Sequence, residues 1–140
     1  MSMTRGIEIL NTIPSNEAEL ISAISISNEY FSWKNWTVDG WISNFIFDKK
    51  RRNPEALFVH EHDKEYYYVK FLYIIPKNVI KDMAKAINAK DLETYGDCDS
   101  WEEYFEDYES STLEYLAQWL IKMLDTMTES QCFCYYNYGN

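Results

Sequence analysis

The sequence predicts an α+β fold: one mainly antiparallel sheet of about four to five strands with helices packed on it, and an acidic helical region toward the C-terminus. Three observations carry this. The middle of the chain, ALFVHEHDKEYYYVKFLYII, holds two β-rich runs around a polar turn. Apolar residues recur at helical spacing on both sides of it, and the last residues, QCFCYYNYG, alternate like a strand. With 140 residues, 46% of them apolar and 17% aromatic, the chain is long and apolar enough to bury a core, and a single compact domain over 1–140 is expected.

Taken in order, TIPSNEAELISAISIS predicts the first helix. Asn16 and Glu19 have capping-box spacing, Ser15 is a competing cap, and Leu20, Ile21 and Ile24 form the apolar face. Asp39-Gly40 is a turn signal between aromatic-rich runs, which predicts strands near 31–38 and 41–48. Lys49-Lys50-Arg51-Arg52 followed by Asn53-Pro54 reads as a loop. Ala56–His62 and Glu65–Ile75 are the two arms of a hairpin. The second is apolar on both faces toward its end, as a central strand would be. After Pro76, Val79, Ile80, Met83, Ala84, Ala86 and Ile87 fill one side of a helix, with Lys77, Lys81 and Lys85 opposite. This helix is expected to cover the sheet.

Tyr95-Gly96 and the acids around them read as a linker. In DCDSWEEYFEDYES, Ser100 and Glu103 form a capping box, and Trp101, Tyr104, Phe105 and Tyr108 share an arc of roughly 100°. The segment is thus expected to be a short helix, aromatic inside and carboxylate outside. A further box, Ser111 with Glu114, predicts that a separate helix opens there. Its apolar residues cover about two-thirds of the surface, making it the most buried element expected. In the final strand Cys132, Cys134 and Tyr136 face one way, and Phe133 and Tyr135 the other.

Charge is distributed unevenly. The formal net charge is −10, but residues 48–90 carry a local +4, while residues 91–140 carry −11 with Lys122 as their one base. Such a field opposes direct contact with nucleic acid or an anionic membrane and favours a basic protein partner. Three cysteines, an odd and widely spaced set, fit reduced thiols rather than a secreted disulfide framework. The N-terminus lacks the apolar run of a signal peptide and no stretch is long and apolar enough for a membrane span, so a soluble cytoplasmic protein is expected.

Catalytic motifs are missing: there is no phosphate loop, nucleophile elbow, His-Glu-x-x-His or dinucleotide fingerprint, so no enzymatic activity and no cofactor are expected. His60 and His62 alternate on one strand face, and Cys132, Cys134 and Cys98 are the residues that a zinc site assembled across the fold would add to them. The compact Cys-x-x-Cys spacing of such sites is lacking, and no closed metal set is expected. The candidate site is instead the run Asp91, Glu93, Asp97, Asp99, Glu102, Glu103, Glu106, Asp107 and Glu109, nine acids with no base among residues 91–109. Helical side chains three and four apart lie about 5–6 Å from one another, comparable to successive phosphates on a DNA strand. Like charges at those spacings destabilise their own helix, a cost that suggests a use. In charge, size and richness in Tyr and acids the chain resembles two classes of small acidic protein. One comprises DNA-mimicking inhibitors of nucleic-acid enzymes, including virus-encoded inhibitors of host defence nucleases; the other comprises immunity proteins that neutralise nuclease toxins. Either resemblance implies a basic nucleic-acid-binding protein or nuclease as partner and occlusion of a positive groove. A third expectation is an assembly protein, a homodimer for instance, whose two charge regions meet in different copies.

Overall fold

The computed structural model describes residues 3–24, 29–48, 57–63, 65, 68–90, 95 and 107–139. The fold is α+β, and the described residues form one antiparallel five-stranded sheet and four helices. The elements are β1 (Met3–Leu10), α1 (Glu17–Ile24), β2 (Tyr30–Trp33), α2 (Trp36–Ile46), β3 (Phe58–Asp63), β4 (Tyr68–Ile75), α3 (Lys77–Asn88), α4 (Asp107–Thr126) and β5 (Cys132–Gly139). Internal contacts gather the chain into two compact units: 1–32 with 54–76 and 127–140, and 33–53 with 77–126.

In the first unit the strand order is β2-β1-β5-β4-β3. The C-terminal strand is central, antiparallel to β1 (Ile7 opposite Tyr135) and to β4 (Tyr73 opposite Tyr135). Its sequence explains the position, because Cys132 to Tyr136 are buried without interruption and so both of its faces are covered. The hairpin arms predicted at 56–62 and 65–75 are β3 and β4, with Asp63 opposite Tyr68. β1 was not foreseen: MTRGIEIL contains a Gly, an Arg and a Glu, and its alternation is legible only beside β5. Gly6 is required there by close approach. A Cβ at that position would overlap the phenol of Tyr136 and come within 2.6 Å of the Phe31 carbonyl oxygen.

Helix α1 starts as predicted, with the Glu19 N–H donating to Asn16 Oδ1 at 2.9 Å. The return half of the box lands one residue early: the Ser15 N–H donates to Glu19 Oε2 at 2.7 Å. Leu20 is fully buried against Leu10, Val59, Leu72, Cys132, Cys134 and Tyr136, with Ile21 and Ile24 beside it. Burial of such a side chain contributes roughly 1.5–3 kcal/mol.

The second unit is helical, and it corrects two expectations. Residues 36–46 are a helix, not the arms of a hairpin turning at Asp39-Gly40. The Asn35 side chain caps it, accepting from the N–H groups of Thr37 (2.7 Å) and Val38 (3.3 Å). Asp39 is drawn into the first turn, where its carboxylate accepts the Trp33 indole N–H at 2.9 Å. Val38, Trp41, Ile42, Phe45 and Ile46 are buried, a spacing of three and four that only a helix brings to one side. That shared face outweighs the cost of roughly 1 kcal/mol for Gly40 in a helix interior.

The second correction concerns Ser111, which lies inside α4 and opens nothing, since the helix already includes residues 107–110. Serine costs a helix only a few tenths of a kcal/mol, and the stripe Leu113, Leu116, Ala117, Leu120 and Met123 runs on past it. Nor is α4 the most buried element: Tyr115 is 63% exposed and Ile121 43%. The apolar face of α3 is as predicted at Val79, Ile80, Met83, Ala84 and Ile87, which are buried, while Lys81 and Lys85 are exposed and Lys77 and Ala86 are half-buried. It packs on α4.

Candidate protein-interaction surface

Of the nine acids, Asp91, Glu93, Asp97, Asp99, Glu102, Glu103 and Glu106 lie outside the described residues, as do Ser100, Trp101, Tyr104, Phe105, Cys98 and the basic run 49–52. Asp107 and Glu109 belong to α4. The described residues define where the acidic stretch is attached. It leaves α3 at Lys90, whose φ of 59° is left-handed. The Lys90 N–H donates to the Ile87 carbonyl at 3.0 Å, and the Ala89 N–H to that of Lys85 at 2.9 Å. This closes the last turn without the glycine usual at such a position.

Between these ends one residue of the stretch is held fast. Tyr95 sets its ring edge-on to Phe45 (centroids 4.8 Å apart, planes at 62°) and to Trp41 (5.8 Å, 79°), while Trp41 and Phe45 stack at 5.4 Å. The Asn44 side-chain amide donates to the Tyr95 carbonyl at 3.0 Å, a link across 51 residues of sequence. Aromatic pairs of this geometry add about 0.5–1.5 kcal/mol beyond the area they bury. The supposed linker Tyr95-Gly96 is thus anchored at Tyr95, within the nine-acid window. Sequence reading passed over it; its one signal is a lone large ring among small and charged neighbours. On α4 itself Glu114 and Asp125 are exposed acids and Lys122 an exposed base.

The other candidates separate. Cys132 and Cys134 share a sheet face with Leu10, Glu8 and Ile74, whereas His60 sits opposite Phe71 on the reverse face. The zinc set combining Cys132/Cys134 with His60/His62 is therefore not assembled, because two sides of one sheet cannot share an ion. Cys134 is also a poor nucleophile. Burial, then the neighbouring Glu8 carboxylate and Cys132, push its thiol well above the ordinary 9.0, outweighing a backbone hydrogen bond at Tyr73. Burial and Glu8 likewise raise the Tyr136 phenol above its ordinary 10.0.

Among the described residues, no helix is long and apolar enough to cross a membrane. No protein-family model matches this chain, and comparison with the curated proteins and with the solved structures gives no match.

Proposed function

We propose that this chain is a non-catalytic inhibitor that acts in the cytoplasm by binding and occluding a basic, nucleic-acid-handling protein. The observation that carries the reading is the run of nine acids without a base over residues 91–109. A rank of carboxylates there substitutes for a phosphate backbone in an Arg- and Lys-lined groove, and long-range attraction steers the encounter. Anchorage of Tyr95 by Trp41, Phe45 and Asn44 supports it, since a surface held before binding loses less conformational freedom on binding. A virus-encoded inhibitor of a host defence nuclease is the setting this chemistry suits best. An immunity protein against a nuclease toxin would use the same groove-filling mechanism. The net charges of opposite sign in 48–90 and 91–140 favour one further reading, self-association of copies.

The test is capture of partners from the native or host cell extract at low and moderate salt. It compares the parent chain with a variant carrying Glu102→Gln, Glu103→Gln, Glu106→Gln and Asp107→Asn. The parent should retain a basic nucleic-acid-binding protein that the variant loses, and association should slow progressively as charges are removed one by one. Equal capture by both removes the acidic run from the interface. Direct binding of nucleic acid by the parent defeats the mimic reading.

A further inference from the structure

We propose that the solvent face of α4 is the interface of a two-fold dimer, in which it pairs antiparallel with the same helix of a second copy. Leu113, Leu116, Ala117, Leu120 and Met123 are buried, whereas Glu114, Tyr115, Gln118, Ile121, Lys122 and Asp125 are exposed. At about 100° per residue the exposed set spans an arc of roughly 120° centred on Gln118, opposite the buried stripe. Among the described residues five large apolar side chains are exposed, and Tyr115 and Ile121 are the two that share one element.

The order of charges along this face selects a second copy of the chain as its occupant. In an antiparallel pair with its two-fold axis at Gln118, residues equally far on either side of that position come level with one another. Glu114 of one copy is then level with Lys122 of the other, and Tyr115 with Ile121. Symmetry makes each pairing twice. Lys122 is the one base among residues 91–140, and this register brings it to an acid and to a tyrosine ring, both of which attract an ammonium group. Asp125 falls level with Ser111, a hydroxyl rather than a second acid. Parallel pairing would instead set Glu114 beside Glu114 and Lys122 beside Lys122. Within one chain Glu114 and Lys122 stand about 12 Å apart along the helix, too far to pair with each other. The charge of −10 on each copy opposes the encounter, and one helix pair is a small interface, so the dimer is reversible and its dissociation constant micromolar. This inference does not rest on the inhibitor reading, and it uses neither the acids of 91–109 nor the bases of 48–90.

The experiment is sedimentation equilibrium of the full chain in reducing buffer, at about 0.15 M salt to screen the net charge. Between about 5 and 500 µM a reversible equilibrium between one and two chains is expected. Ile121→Glu, at an exposed position, should keep the parent's melting temperature and weaken the dimer at least about tenfold. Glu114→Lys and Lys122→Glu should each weaken it about tenfold, the first of them despite lowering the net charge. Combining the two leaves the net charge at its parent value and rebuilds both pairs in reverse, so affinity should return to within about threefold of the parent. The variant neutralised at Glu102, Glu103, Glu106 and Asp107 should dimerise at least as strongly as the parent. A single chain at every concentration, a dimer untouched by Ile121→Glu, a charge swap that stays weak, or loss of the dimer on neutralising the four acids overturns the proposal.

Discussion

The two units bury different chemistry. Around the sheet, Arg5 and Glu8 are 2% and 7% exposed, and they share the interior with three buried tyrosines and two thiols. Among the described residues of the helical unit the interior is aliphatic and aromatic, and the buried charge there, Asp39, is satisfied by the Trp33 indole. The contrast teaches where each unit is vulnerable. A core full of titratable groups answers to pH and to small changes of shape. A core built from helix faces answers to side-chain volume, caps and backbone propensity.

The largest expected effect is in the helical unit. Trp41→Ala removes a fully buried ring and with it the Tyr95 contact, and should cost about 3–5 kcal/mol by denaturant unfolding. Parent-like stability would show that the Trp41–Phe45–Tyr95 cluster holds nothing. Gly6→Ala tests the sheet. The added methyl meets a phenol and a backbone carbonyl oxygen, and because the backbone cannot swing aside, a loss of about 1–3 kcal/mol is expected. A neutral result would mean that β1 does not lie under Tyr136.

Two milder substitutions sharpen the difference between helix and hairpin at 35–46. Asn35→Ala should destabilise by about 1 kcal/mol, the worth of a side-chain cap. Among the described residues no glycine has a positive φ, so Gly40→Ala is compatible with the backbone and should stabilise by about 0.5–1 kcal/mol. A turn at Asp39-Gly40 would give the opposite sign, which makes this small change a decisive one.

The smallest signal is alkaline. Cys134 and Tyr136 both titrate higher in the folded chain than their ordinary 9.0 and 10.0. An acid whose folded pKa is raised stays protonated in the native state after the unfolded chain has begun to ionise. Its contribution is therefore complete below the unfolded value and declines as pH rises through it toward the folded one. Unfolding midpoints should start to fall near pH 9, and Tyr136→Phe should flatten the limb above pH 10, as urea titrations across that range would show. An unchanged slope in that variant would assign the alkaline loss to other groups.

Some of this was legible in residue spacing alone. The α3 stripe from Val79 to Ile87, the Asn16/Glu19 cap, the hairpin of β3 and β4 and the alternation of β5 all depend on neighbours within a turn or a strand, so local pattern suffices. The acidic bias of 91–109 is likewise a property of composition. Tertiary structure decided the rest, because the deciding partners are distant. Asp39-Gly40 has the chemistry of a turn, yet a face of five large side chains gains more by burial as a helix than a two-residue turn can offer. Strand β1 has little β-propensity of its own and exists through its pairing with β5, more than a hundred residues away in sequence. Tyr95 became an anchor only when Trp41 and Phe45 came to meet it. Likewise the histidines and cysteines, equivalent as ligands on paper, were parted when the register turned them to opposite faces of one sheet.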